Sequence, residues 1–441
     1  MEDIPVPLVH ALYLVLALAG LLALVHRFRL MPLLALMAVA ALYGVAQGES
    51  PHWFAKEFGQ GFGQSLAASG LAVLAGAMLA ALAEKSGVSA WLWTNTQDLR
   101  ETVGPVAMAA PVALVAGLGG TAVSAYAMIM PLIRAVAGRG RKAAVAAGML
   151  VSTGQGCLIP SPAPIAAMAI LGADWRLMLA FGIPAAVVHA VAGLVFVHNF
   201  GADDDEETAQ DPWPAPLRAA AIGLMIATAL TVLLVILSSF GQMPSEPFGP
   251  ATMRERILGT GRPLILVLAG VGIMLIALRR WRAEMVSDTG WLGQAATAAA
   301  PVLLMIGAAG GFQMILQSNG MAELLADGLL GIPAGILLPF AAAAIGKALH
   351  GSSLTAAITA AGMMQPLADT LGLGDPSGRA LMAIAIGVGA MAVPHINDGL
   401  FWLVGDRTGL APGRTLKRFT LPVMVQTAGA MAFLIAVSIS R

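Results

Sequence analysis

Apolar runs of close to twenty residues recur along the whole chain, and no other feature constrains its fold so strongly. An α-helix needs about twenty apolar residues to cross a bilayer. Hydrophobic residues make up 58% of the 441 positions and charged residues 11%, which is too apolar a balance for a soluble protein of this length. We therefore predict an all-α polytopic membrane protein.

The apolar runs divide into spans, broken spans and hairpins. We predict spanning helices at 7–26, 30–47, 62–83, 142–171, 178–198, 218–239, 262–278, 293–317, 379–404 and 419–440. Polar residues and prolines interrupt 142–171 and 379–404, which we expect to be broken helices. The apolar stretches 104–137 and 333–367 each contain a short polar interruption, so each is either a re-entrant hairpin or a pair of short spans.

The distribution of Lys and Arg predicts the orientation in the membrane. If the N-terminus lies outside, the inner segments carry 16 of these residues and the outer segments 7. Inner segments of membrane proteins carry the excess of basic residues. We therefore expect a multi-pass protein of the cell inner membrane with both termini outside.

Residue types recur in the same order in the two halves of the chain. The matching pairs, separated by 231 to 235 positions, are Gly87 and Gly320, Gly120 and Gly351, Pro131 and Pro366, Pro160 and Pro394, and Gly172 and Gly405. Each half then holds five spanning helices and a hairpin, and an odd number of spans inverts the second copy, as in many secondary transporters. We predict inverted repeats over 1–200 and 218–441, joined by an acidic, proline-rich cytoplasmic linker over 201–217.

Four interruptions of the apolar sequence form two symmetric pairs, which are the two hairpin tips and the two helix breaks. Half-helices that start at mid-membrane present free N–H groups to an anion, and small residues let the backbone approach it. The predicted substrate-binding residues are Gly120, Thr121, Gln155, Ser161, Gly351, Ser352, Ser353, Thr355 and Asn397. The alternative is that these small residues serve close helix packing.

Ionisable residues at membrane depth are candidates for proton coupling. Asp398 and His395 lie three residues apart in the second break, and His350 adjoins the second tip. The alternatives are that Asp398 caps the half-helix that begins near Leu400, and that His350 is a structural hydrogen-bonding residue. Lys347 either attracts an anion or snorkels to the interface.

Several classes of function lack support in the sequence. The chain has no phosphate-loop, His-Glu-x-x-His or Gly-x-Ser-x-Gly motif, so we expect no cofactor, no metal site and no ATP-driven pump. The acidic run from Asp203 to Glu207 is a single block and is typical of a solvated loop. A formal net charge of zero gives no argument for a nucleic-acid partner.

Three segments resemble the gluconate permease family, and the resemblance covers nearly the whole chain. They run from Pro160 to Asp174, from Gly351 to Gly362 and from His395 to Leu403. The last is the most specific, because that family carries His-x-Asn-Asp followed by Phe-Trp near its C-terminus. The resemblance implies a symporter that moves sugar acids or small hydroxy- or amino acids with protons. It also implies a homodimer in which a scaffold carries a moving domain with re-entrant hairpins.

The chain departs from that family at the first break. Gluconate transporters typically show His-Gly-Phe-Leu-Pro-Pro-His-Pro there, whereas this chain has Gln155-Gly-Cys-Leu-Ile-Pro-Ser-Pro162. Lys347 stands where the family has an arginine. The predicted proton coupling therefore concentrates on Asp398, His395 and His350.

These signals lead to three hypotheses. The first is a secondary transporter in the lipid bilayer that moves a small organic anion inward with a coupling proton by alternating access. The second is sodium coupling, because the tips are rich in Ser and Thr and broken helices expose backbone oxygens. The third is an intramembrane enzyme that uses Asp398 and His395. The inverted repeat argues against an enzyme, because alternating access needs such a repeat and catalysis does not.

Overall fold

The computed structural model consists of helices joined by turns. The described residues are 12–13, 16–17, 19–21, 23–25, 27–138, 140–200, 218–240, 263–279, 282–318 and 335–440. No β-strand occurs within these ranges, so the all-α prediction is confirmed there. The predicted linker 201–217 and the start of the predicted hairpin 333–367 lie outside them.

The helices are numbered here in chain order from residue 32. Those of the first half are α1 (Pro32–Ala46), α2 (Pro51–Ser65), α3 (Leu71–Lys85), α4 (Val88–Asn95), α5 (Gln97–Val103), α6 (Pro105–Ala116), α7 (Ala122–Ala137), α8 (Arg141–Cys157), α9 (Pro162–Leu171) and α10 (Trp175–Phe200). Those of the second half are α11 (Arg218–Phe240), α12 (Pro263–Leu278), α13 (Ala283–Val286), α14 (Trp291–Ser318), α15 (Leu337–His350), α16 (Ser353–Met364), α17 (Pro376–Gly389), α18 (Gly399–Thr408), α19 (Pro412–Thr415) and α20 (Leu421–Ile439). Two π-helical segments, Leu66–Gly70 and Leu416–Thr420, join α2 to α3 and α19 to α20.

Six helical stretches of the described chain are long and apolar enough to cross a membrane. They are Pro51–Lys85, Arg141–Leu171, Trp175–Asn199, Arg218–Leu237, Ala283–Leu316 and Pro412–Ile439, and each overlaps a predicted span. A seventh is obtained if α5 and α6, bent by 92°, count as one span. Of the other predicted spans, 30–47 and 262–278 appear as shorter helices, 379–404 as two pieces, and 7–26 is only partly described.

Glycines bring the two broken helices into contact at the centre of the molecule. α8 and α17 meet at Gly156 and Gly387, where a Cβ on Gly387 would collide with the Gly156 carbonyl oxygen. The residues from Ala143 to Cys157 and from Ala380 to Gly389 are all buried. Because lipid provides no hydrophobic driving force between helices, such close packing supplies the stabilisation.

A second glycine contact holds α2 against α14. The ring of Phe58 fills the place of a side chain on Gly311, and the ring of Phe62 fills the place of one on Gly307. Gly61 and Gly310 lie between these two contacts, so the two backbones approach closely. This packing fixes the end of α2, which leads directly into the π-helical segment Leu66–Gly70.

Each half contains a helix pair that closes at a tip and a helix that breaks. α6 and α7 join over 117–121, and α15 and α16 join at 351–352. α8 stops before the proline-rich residues 158–164, and α17 stops before the stretch 390–398, which contains Pro394. Proline ends a helix because it lacks an N–H donor and its ring clashes with the preceding turn.

The two halves exchange partners around these interruptions. α9 of the first half packs on α16 of the second, and α18 of the second half packs on α7 of the first. The second piece of each broken helix therefore lies against the hairpin of the other half. This exchange brings both tips and both breaks to one place.

Candidate substrate-binding site

A cavity of ≈ 460 Å³ lies where the tips and breaks meet. Its lining includes first-turn residues of four helices, namely Ala122 and Val123 of α7, Pro162 and Ala163 of α9, Ser353 and Leu354 of α16, and Gly399 and Leu400 of α18. The first N–H groups of a helix have no acceptor within the helix, and the dipole makes that end positive. The volume lies in the range of small-molecule sites, which is about 300–1,000 Å³.

The first tip is shaped by a glycine and a capping hydroxyl. Gly120 has φ +64°, and Thr121 follows it as the N-cap of α7. The Thr121 Oγ1 accepts a hydrogen bond from the Ser124 N–H at 3.1 Å and lies 2.9 Å from the Ser69 Oγ. Ser69 belongs to the π-helical segment after α2, so α2 and this tip meet at a hydroxyl pair.

Side chains of the first break hold the carbonyl oxygens of the first tip. The Gln155 Nε2 donates to the carbonyls of Gly117, Gly119 and Gly120 at 3.0 to 3.2 Å. The Ser161 Oγ lies 2.8 Å from the Gly117 carbonyl oxygen. These carbonyls follow the last turn of α6, where intrahelical donors run out. Gln155 and Ser161 therefore position the tip.

The second tip repeats this arrangement. Gly351 has φ +66°, and Ser352 is the N-cap of α16. The Ser352 Oγ accepts from the Thr355 N–H at 3.2 Å and from the Thr355 hydroxyl at 3.0 Å. A Cβ on Gly351 would collide with the carbonyl oxygen of Asn397, so only glycine fits here.

Side chains of the second break hold the end of α15. The Asn397 Nδ2 donates to the carbonyls of Ala348 and Leu349 at 2.9 and 3.1 Å, and the His395 Nε2 lies 2.7 Å from the Ala348 oxygen. Because both carbonyl oxygens are acceptors, the NH₂ group of Asn397 must face them. Its Oδ1 therefore points away from the end of α15. Asn397 lines the cavity, and its buried Oδ1 has no hydrogen-bond partner within the described residues.

A buried ion pair joins the second tip to the second break. The Lys347 Nζ lies 2.6 Å from the Asp398 Oδ2, and the two side chains are 4% and 10% exposed. The Asp398 Oδ1 accepts from the Leu400 N–H at 2.8 Å. The alternative that Asp398 caps the half-helix is therefore confirmed. The alternative that Lys347 snorkels to the interface is wrong, because its ammonium is buried in the ion pair.

The cavity collects most of the predicted site residues. Gly120, Thr121, Gln155, Gly351, Ser352, Ser353, Thr355, Asn397 and Asp398 line it. Ser161 and His395 do not line it, and both instead contact carbonyl oxygens at the ends of α6 and α15. The side chain of His350 lies outside the described part of the chain.

Sequence reasoning missed a polar wall contributed by α2, the π-helical segment after it, α8 and α14. The additional polar lining residues are Gln64, Ser65, Ser69, Ser152 and Gln313. Gln64, Ser65 and Ser69 fall inside the predicted span 62–83, and Gln313 falls inside 293–317. Polar side chains within a span usually face the protein interior, and this signal was present in the sequence.

The charges of the lining suit a small anion with hydroxyl groups. Among the described lining residues, Lys347 and Asp398 are the charged ones, and they neutralise each other. The helix starts therefore supply the positive potential, which favours a carboxylate. The hydroxyl and amide groups supply donors and acceptors for a solute that carries its own hydroxyls.

A multi-pass helical protein with a polar cavity between broken helices is organised as a membrane transporter. Comparison with known proteins agrees with this class. The chain belongs to the GntP permease family, because a family model described as GntP family permease matches residues 9–440. Membership of this family makes the chain a permease and not an enzyme.

Individual relatives match over nearly their full length. The gluconate permease of Pseudomonas aeruginosa is 27% identical over 98% of both chains. The gluconate permease of Zymomonas mobilis is 24% identical over 95% of this chain and 96% of its own. The Gnt-II system L-idonate transporter of Escherichia coli is 24% identical over 91% of this chain and 93% of its own.

Proposed function

We propose that this permease takes up a small hydroxylated organic acid, of the gluconate-like sugar-acid or hydroxy- or amino-monocarboxylate class, together with a proton. The observation that carries the proposal is the cavity that combines four helix starts, a set of hydroxyl and amide groups and the buried Lys347–Asp398 pair. The names of the relatives, which include gluconate and L-idonate, support this substrate class.

In the proposed complex the carboxylate binds near the starts of α7 and α16. α9 offers fewer donors, because Pro162 and Pro164 have no N–H. Asp398 places a negative charge at the start of α18, which disfavours an anion there. The Asn397 Oδ1 accepts from a substrate hydroxyl, since it is a buried acceptor in the cavity lining. Leaving such a group without a partner costs about 1–3 kcal/mol.

Coupling follows from charge balance in the buried site. The Lys347–Asp398 pair is neutral before the substrate binds, and a carboxylate adds one negative charge in a low-dielectric environment. An unpaired buried charge is costly. Protonation of Asp398 removes one negative charge from the site. The ammonium of Lys347 then balances the charge of the substrate carboxylate. We therefore assign the coupling proton to Asp398 and a positioning role to His395.

Alternating access by inverted repeats, 1–200 and 218–441, belongs to the same proposal, and equivalent contacts in the two halves support it. The Arg141 Nε donates to the Thr408 carbonyl at the end of α18, and the Arg379 Nη1 donates to the Leu171 carbonyl at the end of α9. The tips share positive-φ glycines and capping hydroxyls. We also propose that both termini lie outside, that the hairpins 104–137 and 333–367 are re-entrant, and that the protein is a homodimer.

Uptake by purified protein in proteoliposomes tests the proposal. We expect radiolabelled gluconate or a related acid to accumulate when the lumen is alkaline, and to leave when a protonophore is added. Replacing sodium by choline on both sides is expected to change nothing. Accumulation driven by a sodium gradient, with no response to the pH gradient, would establish the sodium alternative instead.

A further inference from the structure

The ammonium of Lys347 occupies an oxygen-lined position between the second tip and the second break. Its Nζ lies 2.5 Å from the Gly351 carbonyl oxygen, 2.6 Å from the Asp398 Oδ2 and 3.1 Å from the Ser353 Oγ. An ammonium has three N–H donors, so each donor has an oxygen acceptor. The side chain is 4% exposed, and the cation is therefore held almost entirely by protein oxygens.

Backbone conformation positions one of the three oxygens, and contacts with residues other than Lys347 position the other two. The Gly351 backbone is in the left-handed conformation at φ +66°, which sets the direction of its carbonyl. The second oxygen of Asp398 is bonded to the Leu400 N–H at 2.8 Å. The hydroxyl of Ser353 donates to the Met391 sulfur at 3.5 Å, which leaves its lone pairs for a cation. The three oxygens are preorganised.

The first tip lacks a corresponding cation. The carbonyl of Gly120, which matches Gly351 in the repeat, accepts from the neutral Gln155 amide at 3.1 Å. Position 122 of the first tip is an alanine, where Ser353 supplies a hydroxyl in the second. In transporters with broken helices, backbone carbonyls at half-helix C-terminal ends coordinate sodium, and the Gly351 carbonyl lies at the end of α15. The Ser353 hydroxyl and the Asp398 carboxylate add two further hard oxygen donors. The second tip alone offers this set within the described residues.

We propose that the Lys347 ammonium is a tethered substitute for a sodium ion, and that removing it exposes a sodium-binding site formed by the Gly351 carbonyl, the Ser353 hydroxyl and the Asp398 carboxylate. The inference deepens the proposed function, because it explains why a proton and not sodium is the coupling ion. Its test measures ion binding without any organic acid, so it can fail while proton-coupled uptake stands, and the reverse also holds.

The test compares the thermal unfolding of purified Lys347→Ala in sodium chloride and in choline chloride at equal concentration. Equal ionic strength removes differences in screening, and an ion that binds the folded state raises its apparent stability. We expect Lys347→Ala to unfold at least about 2 °C higher in sodium, in a saturable manner. We expect the wild type to show no difference, because its own ammonium fills the site.

Three further variants make the result specific. Lys347→Ala combined with Asp398→Asn removes the carboxylate ligand and is expected to lose the sodium effect. Lys347→Arg keeps a tethered cation and is expected to behave like the wild type. Lys347→Met retains the apolar volume of the side chain, and it replaces Lys347→Ala if that variant does not purify in either salt.

Two results would overturn the inference. One is a folded Lys347→Ala or Lys347→Met whose unfolding temperature is the same in sodium and choline. The other is a wild-type protein that sodium stabilises over choline, because the ammonium would then not occupy the ion's place. A wild-type protein that sodium stabilises overturns the inference even if neither variant can be purified.

Discussion

At the residue scale, the properties of the site depend on the charge balance of Lys347 and Asp398. Both are buried, their charges cancel, and Asp398 also caps α18. The ion pair could not be predicted from the residues alone, because its two members are separated by 51 positions and meet only when the tip and the break are packed together. The cap, in contrast, is a local contact two residues along the chain, and it could be named from the sequence as the alternative role of Asp398.

Asp398→Asn is expected to abolish accumulation of substrate against a gradient while retaining exchange of labelled for unlabelled substrate. Asparagine still caps a helix start, but it cannot carry a proton. The measurement is uptake driven by a pH gradient beside counterflow in the same proteoliposomes. Accumulation at the wild-type level would remove Asp398 from the coupling role.

Lys347→Met in sodium-free buffer is expected to lower the free energy of unfolding by about 3–5 kcal/mol, because it leaves the Asp398 carboxylate buried without a partner. The double variant Lys347→Met with Asp398→Asn is the matched control. We expect it to recover part of the loss in a thermal unfolding measurement, since no uncompensated charge remains. Equal stability of the single and double variants would contradict the assigned energetics of the pair.

At the element scale, the sequence predicts where the helices around the tips and breaks end. It does not predict which helices pack against the breaks. Prolines and glycines mark the tips and breaks in the sequence, and α9 starts at Pro162 where the apolar run was interrupted. The sequence paired Gly172 with Gly405, but the left-handed glycine that ends α18 is Gly409. The reason is that the second break, 390–398, is longer than the first, 158–161, so a constant separation fails beyond it.

Gly351→Ala is expected to disrupt the second tip. Its left-handed conformation alone costs an alanine about 1–2 kcal/mol, and the added Cβ would meet the Asn397 carbonyl oxygen. Gly362→Ala, in α16 of the same hairpin, is the matched control because nothing lies within 4 Å of its added Cβ. Thermal unfolding and uptake should both fall for Gly351→Ala and stay near wild type for Gly362→Ala. Equal behaviour of the two variants would show that the tip tolerates a side chain.

At the scale of the whole molecule, composition and the apolar runs were enough to predict a multi-pass helical membrane protein, because a soluble protein of this length is not so apolar. The polar residues from Gln64 to Ser69 could be expected to face the protein interior, but not to line this cavity, because that depends on which helices their span packs against. The glycine contacts between α2 and α14 set that packing here. Periodicity within one span does not reveal its partner.

The predicted topology can be tested with single cysteines. Ser440→Cys, near the C-terminus, is expected to react with a membrane-impermeant maleimide on intact cells. Asp288→Cys, in a loop predicted to lie inside, is expected to react only after permeabilisation. The native Cys157 is buried and provides a low background. The opposite labelling pattern would reverse the orientation that the Lys and Arg distribution favours.

The central claim is that an organic acid and a proton share this cavity, and substrate-induced proton movement tests it most directly. Gluconate, or the acid that binds best, is added to lightly buffered proteoliposomes, and the external pH is recorded beside the uptake of the acid. We expect the medium to become more alkaline with about one proton per acid, as the neutral pair requires. The signal should be unchanged in choline and absent for Asp398→Asn. Acid entry without proton movement, or proton movement that requires sodium, would contradict the account.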